Sequence, residues 1–291
     1  MNKLLISFCF IAISLPFSVR AVSVIDDAGN TINLKSEVQR IVTLAPHIVE
    51  QLFAIGAGDR IVGTVSYSDY PEAAKQIPLI GGYTRFDLET IVALKPELVI
   101  GWLSGNNPEQ ITQLKNLGIE VLLDEPQHVD DIAHSIERLG VITGKQHKAA
   151  EVADKFREGF KHLREQYQSK SKVTLFYQLW HKPLMTVNGR QIINDVLDIC
   201  GGDNIFKELP TLTPVVSREA VIAADPKIII ISGMKDVRPK SYDEWLAWDS
   251  MRAVKGEHLY TVKPDLIHRA TPRILWGAEK ICAFIDSARQ N

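Results

Sequence analysis

One fourteen-residue pattern occurs twice in this chain, 130 residues apart. Asp87-Leu88-Glu89-Thr90-Ile91-Val92-Ala93-Leu94-Lys95-Pro96, running into Glu97-Leu98-Val99-Ile100, returns as Ser217-Arg218-Glu219-Ala220-Val221-Ile222-Ala223-Ala224-Asp225-Pro226, running into Lys227-Ile228-Ile229-Ile230. Each copy opens on a residue suited to cap a helix N-terminus and carries Glu two positions later. Each then reaches a Pro that ends the helix before an apolar strand. A shorter echo, 144 residues apart, pairs Gly56-Ala57-Gly58-Asp59-Arg60-Ile61-Val62 with Cys200-Gly201-Gly202-Asp203-Asn204-Ile205-Phe206. Two echoes in the same order predict two lobes of similar fold with a cleft between them. They also predict equivalent carboxylates, Glu89 and Glu219, at matching helix N-termini, an arrangement suited to docking on something two-fold symmetric.

The N-terminus reads as a segment apart from that fold. Asn2-Lys3 precedes an apolar run from Leu4 to Phe17, followed by Ser18-Val19-Arg20-Ala21. This is the charged, apolar and small-x-small order of an export signal, with cleavage expected after Ala21. The alternative, a membrane anchor, calls for a longer apolar run. Cys9 has no lipidation site before it, since apolar residues continue beyond it, and it is expected to leave with the signal. Losing Lys3 and Arg20 takes the formal charge from −2 to −4, which argues against general attraction to nucleic acid. Two cysteines then remain, Cys200 and Cys282. An even count in an oxidising compartment predicts one disulfide, the alternative being two buried thiols.

The mature start, residues 22–34, alternates apolar and polar residues around Asp-Ala-Gly-Asn and predicts a β-hairpin. Strands are expected at 40–44, 61–65, 98–101 and 121–123, with helices at 48–55, 88–94 and 108–117 between them. Such alternation indicates βα units around a mostly parallel sheet. Residues 145–168 differ: Ala149, Val152, Phe156, Phe160, Leu163 and Tyr167 recur every three or four positions, with only Gly159 opposing a long helix. That helix would run roughly 35 Å at 1.5 Å per residue and join the repeats as a strut. The α/β pattern then resumes, with strands at 173–177, 228–231 and 258–262 and helices at 192–199, 218–223, 242–248 and 272–289. The expected organisation is a signal at 1–21, a first α/β lobe at 22–143, a connecting helix at 144–170 and a second α/β lobe at 171–291.

Enzyme signatures are missing. Gly140-Val141-Ile142-Thr143-Gly144-Lys145 is one residue short of a phosphate loop and lacks the following Ser or Thr. No nucleophile elbow appears, and no pair of His sits three or four apart to hold zinc, so neither catalytic nor metal-binding residues are assigned. Aromatic residues do gather where segments leave strands. Tyr67-Ser68-Asp69-Tyr70-Pro71 follows one strand, Tyr83 precedes the Glu89 helix, and Trp102 and Trp180 follow others. In open α/β sheets ligands collect at the carboxyl ends of strands, so these residues suit a large, flat, mostly apolar ligand. Asp265 and Arg269 add a charged pair on a loop after a strand; a local salt bridge is the alternative reading.

The export signal, Tyr-Ser-Asp-Tyr-Pro, Trp102, the central helix, Cys200-Gly201-Gly202, Ser217-Arg218-Glu219 and Arg269-Ala270-Thr271-Pro272-Arg273-Ile274 together resemble the class III periplasmic binding proteins. That family has two α/β lobes on a single helical backbone and carries siderophores, haem and vitamin B12. The Tyr-Ser-Asp-Tyr-Pro and Cys-Gly-Gly segments are similar to those of its cobalamin-carrying members. The resemblance implies a monomeric periplasmic carrier without enzymatic activity or cofactor. Cobalamin would be its ligand, and an inner-membrane ABC permease dimer with ATPase subunits its partner. Tyr67, Tyr83, Trp102, Trp180, Asp265 and Arg269 would then face the corrinoid, and Glu89 and Glu219 would meet the permease. A haem or ferric-siderophore carrier is the alternative, with His268 or a pocket Tyr as an iron ligand.

Overall fold

The structure, a computed structural model, describes residues 21–233 and 239–290. The expected signal, apart from its last residue, lies outside the described residues. The mature start forms the hairpin, β1 (Val22–Ile25) antiparallel to β2 (Thr31–Leu34). Its turn is fastened to the first lobe by Arg138, which donates to both carboxylate oxygens of Asp27 at 2.7 Å.

The first lobe contains β3 (Ile41–Thr43), α1 (Pro46–Ala54), β4 (Ile61–Gly63), α2 (Leu88–Ala93), β5 (Leu98–Trp102), α3 (Pro108–Asn116) and β6 (Val121–Asp124). Its strands are parallel in the order β4-β3-β5-β6. Two helices follow, α4 (Val129–Thr143) and α5 (Gln146–Tyr167). The second lobe contains β7 (Val173–Gln178), α6 (Ile192–Ile199), β8 (Gly202–Asn204), α7 (Arg218–Ala224), β9 (Ile228–Ser232), α8 (Lys240–Leu246), α9 (Arg252–Lys255), β10 (Leu259–Val262) and α10 (Ile274–Gln290). Its sheet, β8-β7-β9-β10, is also fully parallel. In each lobe the first strand lies inside, the second on one edge and the third and fourth on the other side, so the two topologies are the same.

The long repeat is carried through to backbone geometry. Asp87 caps α2 by accepting from the Glu89 and Thr90 amides, and Ser217 caps α7 by accepting from Ala220. Lys95 and Asp225, each just before the proline, both enter the left-handed region at φ 48° and 41°. The helix therefore breaks identically in each lobe and releases the chain into β5 or β9. The short echo is looser. Its first copy supplies a 3-10 turn at Gly58–Arg60 before β4, whereas its second is itself strand β8, three residues earlier in register.

Both sheets are buried on both faces, as parallel sheets with crossover helices require. Ile41, Leu98, Ile100 and Leu122 point to a central cluster with Ile48, Leu52, Ile136 and Phe156. Val42, Val99, Val121 and Leu123 point the other way, against Ile91, Ile111 and Leu114. The central cluster continues through Phe160 to Tyr177, Leu197, Ile230 and Ile281, so one apolar core passes between the lobes. Helix α5 supplies that passage with Ala149, Ala153, Phe156, Phe160, Leu163 and Tyr167; Ala153 takes the inner position expected of Val152, which is half-buried. Gly159 lets the end of the Leu275 side chain, near the start of α10, lie close against α5; a Cβ there would stand 2.3 Å from Leu275 Cδ2 and displace it.

Helix α4 has no counterpart in the sequence expectation. It packs along α5, which runs from the first lobe to β7 of the second as the expected connecting helix. Gly144, within the phosphate-loop look-alike, is its left-handed C-cap at φ 64°. Cys200 at the end of α6 is bonded to Cys282 in α10, tying the second lobe to its C-terminal helix.

Candidate ligand-binding site

The carboxyl ends of the two sheets face each other. The segment after β4 carries Asp69 and the segment after β10 carries Arg269, and the Asp69 carboxylate meets Arg269 Nη1 at 2.8 Å. Around that junction lie the loops on which the expected ligand residues sit.

On the first lobe Tyr83 and Trp102 come together, their ring centroids 6.0 Å apart and tilted by 42°. A residue the sequence did not single out holds them. Buried Asn106 accepts from the Trp102 amide at 2.6 Å and donates to the carbonyls of Tyr83 at 2.7 Å and Leu44 at 3.0 Å. One side chain thus fixes the end of β5, the end of β3 and the Tyr83 loop. Beneath Trp102 lies His47, edge-on at 5.9 Å, another residue missing from the expected set. Its Nε2 stands 3.3 Å from Asp124 Oδ2, a contact in which neither atom completes a hydrogen bond. Burial alone would raise the Asp124 pKa, but His47, Arg138 and Ser135 hold it below the usual carboxylate range.

Tyr67 is 70% exposed and has φ 69°, an unusual conformation for an aromatic residue. Its turn is fixed on both sides. Buried hydroxyls run from Thr43 to Thr64 and from Thr64 to Ser68, each at 2.8 Å, while the Ser66 amide donates to the Gly81 carbonyl. Gly81, at φ 124°, admits no side chain, since a Cβ would meet the Arg85 carbonyl at 2.8 Å. The Tyr67 ring is therefore displayed on a rigid support.

On the second lobe Trp180 is 44% exposed, and its indole N–H donates to the Lys182 carbonyl. With Leu179, Pro183, Met185 and His268 it lines a recess of about 300 Å³. His268 Nε2 lies 2.9 Å from the Tyr177 hydroxyl. Burial raises the Tyr177 pKa and Ser232 offsets part of that rise, so the phenol keeps its proton. The surrounding walls push His268 down to about 4, leaving it neutral.

Arg269 does meet Asp265 in a local salt bridge, but that contact is a minor part of its setting. Its side chain is only 11% exposed, and the Asp265 contact is the longest of its ion pairs at 3.3 Å. The shorter ones cross to the first lobe, to Asp69 and to Glu50, both at 2.8 Å. Burial would lower the Arg269 pKa, but these carboxylates raise it, so the guanidinium stays charged. Glu89 and Glu219 both stand exposed, one on each lobe. Among the described residues no group of three or more His, Cys, Asp or Glu is arranged to hold a metal ion.

Residues 41–266 match the periplasmic binding protein family. The chain belongs to that family. It is 33% identical over 256 residues to a vitamin B12-binding protein of Vibrio parahaemolyticus, covering 87% of this chain and 91% of that one. A vitamin B12-binding protein of Yersinia pestis is 32% identical over 249 residues, covering 86% of this chain and 87% of that one. The crystal structure of a periplasmic vitamin B12-binding protein of Vibrio cholerae superposes with a TM-score of 0.81 at 32% identity, covering 88% of this chain and 99% of that one. A periplasmic haem-binding protein from Roseiflexus shares the fold, with a TM-score of 0.75 at 23% identity, covering 86% of this chain and 99% of that one. The binding protein described here therefore has the two-lobed, helix-backed architecture of its family.

Proposed function

We propose that this protein is a periplasmic carrier that holds vitamin B12 between its two lobes and delivers it to an inner-membrane ABC importer, making and breaking no covalent bonds. The observation that carries the reading is the pair of apolar walls at the carboxyl ends of the sheets. One is Tyr83 and Trp102 held by Asn106; the other is the Trp180–His268 recess, and charged Arg269 sits at the junction between them. Aromatic faces suit the apolar surfaces of a corrin ring, and a buried cation suits its amide and phosphate periphery. The near end-to-end likeness to vitamin B12-binding proteins supports the same ligand.

The shared core, the α4–α5 pair and the Arg269 bridges favour small movement on binding over wide hinge closure. The exposed Glu89 and Glu219, one per lobe at equivalent helix positions, suit contact with arginines on the two halves of a permease dimer. Titrating the purified protein separately with cyanocobalamin, haemin and a ferric siderophore tests the reading. Saturable uptake of cyanocobalamin alone, with a shifted visible spectrum, is expected; uptake of another of the three in its place would reassign the cleft.

A further inference from the structure

We infer that Glu50 is the positioning residue of the cleft: from inside the first lobe it fixes both the place of Arg269 and the separation of the two lobes. The part that concerns ligand rests on the reading above; the part that concerns the lobes does not.

Glu50 lies in α1 among buried neighbours His47, Ile48, Val49, Gln51 and Leu52, and its side chain is 2% exposed. A carboxylate in such surroundings is costly to desolvate and persists only with strong partners. Both partners come from the other lobe. Oε1 accepts from Arg269 Nη1 at 2.8 Å and from Arg273 Nη2 at 2.6 Å, and Oε2 accepts from Arg273 Nε at 2.7 Å. The Arg273 grip is two-pronged, the geometry that gives an Arg–carboxylate pair its directional precision. Two neighbours strengthen the same contact. Gln51 Nε2 donates to the Ala270 carbonyl at 2.7 Å, and the Arg273 guanidinium lies 3.8 Å from the centre of the Tyr70 ring. A single turn of α1 thereby holds the segment 269–273 that enters α10.

The charges around Arg269 are unequal in kind. Glu50 is buried and immobile, whereas Asp69 and Asp265 are about half exposed. Arg269 therefore hangs from a fixed inner anion while its outer partners remain open to exchange with a ligand. Pre-placing the guanidinium removes an ordering cost from binding. Without the inner anion Arg269 swings to Asp69 and Asp265, which neutralise it at the mouth, and Arg273 no longer ties α10 to α1.

The test uses the mature chain with Glu50→Gln, which preserves shape, and Glu50→Asp, which preserves charge. Spin labels at Lys115→Cys and Lys255→Cys, exposed on opposite lobes, report the interlobe distance without ligand, and stopped-flow absorbance reports cyanocobalamin exchange. Glu50→Gln should broaden the distance distribution and weaken cyanocobalamin about tenfold, mainly through faster release, with Glu50→Asp in between. A merely structural glutamate would lower the melting temperature while leaving distance and kinetics as in the parent, and that result overturns the inference. Should the parent fail to bind cyanocobalamin, the function is wrong and the label distances alone decide the role of Glu50. Should Glu50→Gln fail to fold, Arg273→Lys, which removes the two-pronged grip and keeps the charge, decides it by the same distances: a broadened distribution supports the inference and a parental one overturns it.

Discussion

The Tyr177 hydroxyl and His268 Nε2 lie 2.9 Å apart, joining the floor of the second lobe to the wall of the cleft. The same pair has a consequence for acid stability. Folding holds His268 at about 4, below its ordinary value of 6.5. Above 6.5 the ring is neutral in both folded and unfolded chains; between 6.5 and 4 only the unfolded chain takes up the proton, so stability falls as pH falls through that window. Thermal scans should show the melting temperature dropping from pH 6.5 to 4, with a shallower drop in His268→Gln. His258, also held low by burial and by Lys227, acts in the same direction. An unchanged slope in His268→Gln would contradict the assignment.

Trp102→Ala removes one face of the aromatic wall. Cyanocobalamin affinity should fall by about 1–3 kcal/mol, the usual value of a large buried aromatic contact, as read by calorimetry. Parental affinity in this variant would move the ligand away from the first lobe.

Asn106→Ala should be more damaging to the fold than its single position suggests. It orphans the Trp102 amide and two carbonyls at once, and loss of stability by about 2 kcal/mol or more is expected in urea titrations. Ligand affinity should fall with it, because the Tyr83 loop loses its tie to β5.

The Cys200–Cys282 bond closes a long loop, with a sequence separation of 82. Replacing both cysteines with Ser should cost about 4 kcal/mol in the chain-entropy account. Alkylation of unreduced protein followed by intact mass should find neither thiol free.

How much of this was legible in the sequence varies with the range of the interaction. The long repeat, the βα alternation and the apolar stripe from Ala149 to Tyr167 are local patterns, and they appear as expected save for Val152, whose inner place Ala153 takes. Helix α4 was legible too, in Val129, Ile132, Ile136 and Leu139, but it begins at His128, an uncommon cap, and no motif drew attention to it. Glu50 and Asn106 could not be singled out. A lone Glu within an amphipathic helix and an Asn in a Ser-Gly-Asn-Asn turn look like surface residues until chain segments over 20 or over 200 positions away close upon them. Arg269 was picked out for its charge, yet its burial and its partners across the lobes arise only from tertiary structure.

The repeated glutamates carry the prediction about partners. As first-turn charges at the helix dipole alone they are worth about 0.3–1 kcal/mol each. Glu89→Ala with Glu219→Ala should therefore leave cyanocobalamin affinity and melting temperature close to parental, yet abolish association with the importer and uptake into reconstituted vesicles. Normal uptake would return both residues to the role of first-turn charges on the helix dipole.

The central claim is that the two aromatic walls and Arg269 hold a corrinoid. Its most direct test is calorimetric titration of the mature protein with cyanocobalamin, run beside haemin under identical conditions. Saturable binding of one cyanocobalamin per chain, with no Soret band gained from haemin, is the predicted result. A haemin Soret band with no cyanocobalamin uptake would contradict the claim.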